Sequence, residues 1–258
     1  MTRPLITLTT DYGTSEHFVG VMKGIILGIN PEANIVDISN NVLAHDILDG
    51  ALTIGQAYKY FPSKTIHIVV VDPGVGTERR PILVASDQHY FVAPDNGVLS
   101  SVYDQTEALY VWNIISEHYF RQPISKTFHG RDVFAPVAAW LSKSWQTSAF
   151  GEQITDFVRF GIPKPKAAGN TVKGIVLKVD NFGNLVTNLT PQDVPAPTTI
   201  VHGWHDDIVP VDNGIRWARE HHASLHVLNS DHRLEDRIES ICALLRGFLQ
   251  DIGLVARV

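Results

Sequence analysis

The run Ile66-His67-Ile68-Val69-Val70-Val71 constrains this chain more than any other stretch. Only His67 interrupts it, so it lacks the apolar-polar alternation of a strand with one wet face. Strands of this kind are buried on both sides, in a sheet covered by helices on each face. The run stops at Asp72-Pro73-Gly74-Val75-Gly76-Thr77-Glu78-Arg79-Arg80. An acid, a proline and two glycines mark the passage from strand to tight turn. In open α/β sheets, ligand sites form beyond the carboxyl ends of strands, and glycine lets backbone approach a ligand closely. Arg79 can fold back toward Asp72, and Phe128-His129-Gly130-Arg131-Asp132 adds an imidazole.

The surrounding pattern agrees with an α/β sheet. Leu5 to Thr10 reads as a strand ending at Asp11-Tyr12-Gly13. Phe18 to Ile29 has helical spacing (Phe18, Val21, Met22, Ile25, Ile26, Ile29), with Pro31 just past its end. Asn34 to Ile38 is a short strand, and Asp46 is the expected N-cap of a helix through Tyr60. Strands are expected over Thr65 to Val71, Ile82 to Ala85, Tyr90 to Val92 and Leu109 to Trp112. Arg131 to Ser142 reads as a helix with Pro136 near its first turn. The expected fold class is α/β, a mainly parallel sheet flanked by helices.

Residues 161–170 carry prolines, glycines and lysines and read as a linker after a domain over 1–160. In 171–196, Lys173 to Asp180 and Leu185 to Leu189 flank Asn181-Phe182-Gly183-Asn184 as a short β-hairpin would. Residues 197–258 return to a βαβα pattern: strand Thr198 to Val201, helix Val211 to His222, strand Ser224 to Leu228, helix Leu234 to Ile252.

Five ordered motifs are Thr9-Thr10-Asp11-Tyr12-Gly13, Val71 to Gly76, Ala93-Pro94-Asp95-Asn96-Gly97, Phe128 to Asp132 and Asp180 to Asn184. Together they resemble the adenosine-forming S-adenosyl-L-methionine (SAM) hydrolases, or SAM hydroxide adenosyltransferases, relatives of the fluorinating and chlorinating enzymes. The likeness runs from Leu5 to about Pro195. It implies attack of water on the ribose C5′ of SAM, with Asp72, Arg79 and His129 as the catalytic set. It also implies that Asp11 binds the ribose hydroxyls, that Phe182 packs on the substrate, and that Asp180 and Asn184 belong to an adenine-reading motif. By the same resemblance the protein is a homotrimer with a small-molecule substrate and no cofactor or metal, SAM itself being the substrate.

On spacing alone plainer readings stand beside these. Asp72 and Arg79 can staple a turn, Asp11 can be a turn aspartate, and residues 180–184 suit a β-turn. Asp95-Asn96-Gly97 reads as a turn with no chemical role. The glycines at 74 and 76 are not followed by Gly-Lys-Ser/Thr, which argues against a triphosphate loop.

The family's second domain is a β-barrel, and from residue 197 this chain departs from it. His202 to Pro210 and Asp231-His232 are similar to the acid and histidine loops that close an α/β-hydrolase, yet no Gly-x-Ser-x-Gly elbow occurs anywhere. The chain reads as a hybrid joined near Pro195 to Pro197; an engineered fusion, a natural recombination and an assembly artefact all fit. The alternative function is accordingly a serine-hydrolase-related or catalytically inactive hybrid.

A net charge of −6 with no basic run excludes a nucleic-acid footprint. The one cysteine, Cys242, cannot form an intrachain disulfide and is expected to be a packed thiol. No apolar run reaches the ~20 residues needed to span a bilayer, and no signal-peptide core precedes the first strand, so no membrane partner and a cytoplasmic location are expected.

Overall fold

The computed structural model describes residues 3–168, 171–180, 182–190, 193 and 198–252. The chain divides into two compact units, Met1–Ile162 and Pro163–Val258.

The first unit is built on seven strands: β1 (Leu5–Thr10), β2 (Asn34–Ser39), β3 (Ile66–Val70), β4 (Pro81–Ser86), β5 (Tyr90–Pro94), β6 (Leu109–Ile114) and β7 (Gly151–Ile154). They form one sheet in the order β2-β1-β3-β5-β4-β6-β7. β2, β1, β3 and β5 pair in parallel, and each later ladder is antiparallel, so five strands run one way while β4 and β7 run the other. The sheet is therefore mainly parallel in strand direction, with its antiparallel ladders gathered at one edge.

Helices α1 (Phe18–Ile29) and α4 (Ala135–Leu141) cover one face, where Ile6, Leu8, Ile68 and Val70 meet Met22, Ile26 and Val137. Helices α2 (Ile47–Ala57) and α3 (Ser100–Asp104) belong to the other, where Val69 and Val71 meet Ile54, Val98 and Val102. Alternate residues of β3 thus enter two different cores, which is why its sequence is apolar apart from His67. Asp46 caps α2 as expected, its side chain accepting from Asp49 N at 2.9 Å.

Two local details depart from the sequence reading. The expected helix from Arg131 opens instead as a π-helix, Gly130–Phe134, before α4 begins. Pro136 has no N–H to give the Asp132 carbonyl, and Arg121 N donates to that carbonyl at 2.8 Å instead. The five-residue α3 and the edge strand β7 are too short to show a period in sequence.

In the second unit, β8 (Lys166–Ala168) pairs antiparallel with β9 (Thr171–Lys173). Part of the stretch read as a linker is therefore strand, ordered by a ladder partner that composition does not reveal. β10 (Val176–Val179) and β11 (Leu185–Thr187) form an antiparallel hairpin. β12 (Thr199–Gly203) and β13 (Ser224–Leu228) pair in parallel around α5 (Val211–Glu220), and α6 (Ile238–Asp251) follows. The proposed junction at Pro195–Pro197 lies outside the described residues.

Cys242 is exposed, against the expectation of a packed thiol. The partly buried stripe of α6 follows Ile241, Leu244 and Phe248, and Cys242 is turned about 100° from Ile241. Among the described residues no helix is long and apolar enough to cross a membrane.

The one polar residue of β3 is costly. His67 is wholly buried, with Nδ1 2.7 Å from Thr7 Oγ1 and its ring stacked on Phe91. Burial, then the neighbouring His89, push its pKa down to about 3. The unfolded chain takes up this proton below about 6.5 and the folded chain does not. Stability is therefore full above pH 6.5 and falls as pH drops toward 3, by about 1.4 kcal/mol per unit for His67. Urea midpoints measured between pH 7 and 5 should decline with that slope included, and His67→Leu should flatten it. An unchanged slope in the variant would contradict the assignment.

Candidate active site

Asp72 stands two residues past the end of β3, at the carboxyl edge of the sheet. The turn after it is held by Val75 N on Asp72 O at 3.2 Å and by Thr77, whose N and Oγ1 reach Gly74 O at 3.2 and 2.7 Å. This curl returns Arg79 to Asp72. Arg79 Nε donates to both carboxylate oxygens at 3.0 and 2.9 Å, and Nη2 donates to Asp72 Oδ2. The two side chains are 9% and 4% exposed.

Arg79 Nη2 also reaches His129 Nδ1 at 2.7 Å. A guanidinium only donates, so Nδ1 is the acceptor and the neutral ring carries its hydrogen on Nε2. Burial, then the Arg79 charge, push the His129 pKa below its ordinary value, and Asp72 and Asp132 offset part of that. The imidazole is accordingly neutral at pH 7. The Arg79 guanidinium lies 5.3 Å from the centre of the Phe134 ring. Its remaining nitrogen, Nη1, is buried and has no hydrogen-bond partner. Three of the expected site residues are thus brought together as one hydrogen-bonded chain, Asp72 to Arg79 to His129.

Backbone contacts hold the two loops in register. Gly76 has φ +76°, and a Cβ there would sit 2.1 Å from the Lys126 carbonyl oxygen. A Cβ on Gly130 would come within 2.6 Å of the Tyr12 hydroxyl. Asp132, fully buried, fixes the His129 segment: Arg131 Nε and Nη2 donate to it at 2.7 and 2.8 Å, Ser125 N at 2.8 Å and Arg121 Nη1 at 3.3 Å. Burial alone would push that carboxyl up, but these hydrogen bonds, Arg131 foremost, hold it below the usual range. Neither Tyr12 nor Asp132 stands out in the sequence on its own, although both lie inside motifs that do.

Asp11 comes directly after β1, and its Oδ2 accepts from His45 N at 2.9 Å. Tyr12 links this residue to the triad electrostatically: burial first, then Asp11 and Asp72, raise its pKa well above the phenolic norm. A cleft of about 1170 Å³ opens at the opposite, amino ends of the strands, lined by Leu5, Asn34, Ile66 and Tyr90. Its lining holds no acid and no imidazole.

In the second unit Asp180 organises its own turn. It accepts from Phe182 N at 2.9 Å and from Asn184 N and Nδ2 at 2.8 and 2.7 Å, and the Phe182 ring is 89% exposed. Farther along, His232 Nδ1 lies 3.0 Å from Asp206 Oδ2. Asp206 also accepts from Ile208 N and Val209 N at 3.0 and 2.7 Å. Ser230, two residues before His232, is buried and donates to Asp236. The described residues contain no group of three or more His, Cys, Asp or Glu side chains arranged to hold a metal ion.

Residues 6–151 match the family model described as the SAM hydroxide adenosyltransferase N-terminal domain. The chain is 38% identical over 195 residues to an (R)-S-adenosyl-L-methionine hydrolase of Methanocaldococcus jannaschii, covering 74% of this chain and 68% of that protein. A protein of the same description from Salinispora tropica is 37% identical over 190 residues, 70% of each chain. The crystal structure of an uncharacterised conserved protein from Thermotoga maritima superposes with a TM-score of 0.69 at 38% identity, covering 73% of this chain and 72% of that one.

Two of the glycines with positive φ, Gly13 and Gly76, make separable expectations. Gly13 (φ +74°) has open space at its Cβ position, whereas Gly76 meets backbone. Gly13→Ala should cost about 1–2 kcal/mol from the left-handed conformation alone, and Gly76→Ala more. Denaturant titration of both variants checks this, and equal losses would contradict the contact with Lys126.

Proposed function

We propose that this chain, which belongs to the SAM hydroxide adenosyltransferase family, hydrolyses SAM to adenosine and methionine. The observation that carries the reading is the buried, unpartnered Nη1 of Arg79, a guanidinium whose Nη2 bonds the neutral His129 imidazole. A buried donor without a partner costs about 1–3 kcal/mol, which an oxygen ligand at that nitrogen would relieve.

In the proposed reaction Arg79 Nη1 holds a water molecule. Its oxygen bonds to ribose C5′ as the C5′–S bond breaks in line, and that bonding pair leaves on sulfur, giving methionine as a neutral thioether. One water proton remains in the new 5′-hydroxyl. The other passes to His129 Nδ1 as the hydrogen bond from Arg79 Nη2 gives way. Asp72 keeps the guanidinium oriented through both shifts, and the sulfonium is already an excellent leaving group, so positioning supplies most of the rate. No cofactor takes part.

Asp11 is the proposed partner of the ribose hydroxyls, and Asp180, Phe182 and Asn184 of the adenine end. A homotrimer is proposed from the same family resemblance. Because the chain leaves the family pattern from residue 197, substrate binding should be weak and KM high relative to the complete relatives.

The test is incubation with SAM and chromatography for adenosine. Asp72→Ala and His129→Ala should each lower the rate by about a hundredfold or more, while Asp206→Ala and His232→Ala leave it nearly unchanged. Equal losses from both pairs would overturn the division of roles. Since His129 acts as the neutral base, kcat/KM should rise with pH and level off below about 6.5, its ordinary pKa. A rate that instead fell through that range would exclude this role.

Ester hydrolysis is the second reading, favoured by the Asp206–His232 pair. It lacks a nucleophile, since the elbow motif is absent and Ser230 is committed to Asp236. Labelling with a fluorophosphonate probe should give no adduct; an adduct would revive it.

A further inference from the structure

The sheet order makes one demand on the loop that carries Asp72 and Arg79. It leaves β3 and enters β4, but β5 lies between those two strands. The loop must therefore pass over the carboxyl end of β5, where the next two residues are Asp95 and Asn96. Both are bonded to it. Asn96 Nδ2 donates to the Val71 carbonyl, immediately before Asp72, at 2.8 Å. Asn96 Oδ1 accepts from Val98 N at 3.1 Å, so the amide cannot be reversed without losing both bonds.

At the other end of the loop Asp95 grips Arg80, the residue after Arg79. Arg80 Nε and Nη2 donate to Asp95 Oδ2 at 3.0 and 2.7 Å, and Asp95 N donates to Arg80 O at 2.8 Å. The Asp95 side chain is 2% exposed, and its Oδ1 accepts from Val158 N at 2.7 Å.

We propose that Asp95 and Asn96 are positioning residues for the reaction, clamping both ends of the Asp72–Arg79 loop so that the guanidinium stays in reach of His129. This rests on the SAM-hydrolase reading for its chemistry and on the hydrogen bonds alone for its geometry. The rival is a purely structural strap. Arg80 also bonds Asp156 Oδ1 at 2.9 Å, and Arg159 pairs with Asp104 at the end of α3, so residues 156–159 are tied both to the loop and to that helix.

The experiment compares Asn96→Asp, which turns an acceptor toward the Val71 carbonyl, and Asp95→Asn with two controls. Arg159→Ala removes only the strap's tie to Asp104, and Asp95→Glu retains the charge. Each is read by melting temperature, by kcat and KM for adenosine formation per folded molecule, and by the His129 titration midpoint from NMR. Asn96→Asp and Asp95→Asn should lower kcat about tenfold or more with KM little changed. They should also move the His129 midpoint up toward its ordinary value as Arg79 slackens away. Asp95→Glu should recover part of the rate, and Arg159→Ala should lower only the melting temperature.

Unchanged kcat and an unmoved His129 midpoint in folded variants would overturn the proposal. Where Asn96→Asp does not fold, Asn96→Ser and Asp95→Asn carry the same comparison. A wild type that forms no adenosine would sink the SAM-hydrolase reading, while the NMR midpoint would still decide whether the clamp positions Arg79.

Discussion

The buried ion pair between Asp72 and Arg79 sets the terms for the rest of the first unit. Removing a carboxylate and a guanidinium from water costs several kcal/mol per ion, and their attraction offsets this only when the geometry is excellent and the remaining hydrogen bonds are made. Asp72 receives Nε and Nη2 of Arg79, but Nη1 is left unpartnered. An apolar pair would fill the same space without that penalty. The arrangement makes more sense as a holder for a polar ligand than as a source of stability. The glycine at 76, the room made at Gly130 for Tyr12 and the buried Asp132 all serve to keep the pair and His129 in one place.

Much of this was legible in the residues. The two-sided burial of β3 follows from its apolar run, broken only at His67, and the bounds of β1, α1 and β13 agree with their periodicity. The meeting of Asp72, Arg79 and His129 also matches what their turn placement suggested. The hidden part depends on spatial order. Nothing local announces that β5 sits between β3 and β4, so Asp95-Asn96-Gly97 read as a plain turn although Asn96 holds the residue before Asp72. The π-helical start of the His129 segment was hidden for a similar reason. The proline is visible, but the Arg121 N–H that takes up the freed carbonyl comes from a separate loop.

The second unit carries a different kind of information. Asp180 and Asn184 commit their side chains to one another, and the ring between them is left exposed. A turn of this construction presents Phe182 as a contact surface beside the paired Asp180 and Asn184 side chains. Asp206 and His232 keep a hydrogen bond suited to proton transfer, with two backbone donors, Ile208 N and Val209 N, also on the carboxylate. An oriented imidazole without a nucleophile is two thirds of a machine, which is why the chemistry is assigned to the first unit.

The most direct measurement tracks the oxygen. SAM incubated with the protein in water enriched in oxygen-18, with the products resolved by mass spectrometry, reports which bond the water attacks. Attack at C5′ from Arg79 Nη1 leads to adenosine carrying one heavy oxygen and to methionine carrying none. Adenosine without the label, label in the amino-acid product, or cleavage that releases 5′-methylthioadenosine would contradict a water held in line by Asp72, Arg79 and His129.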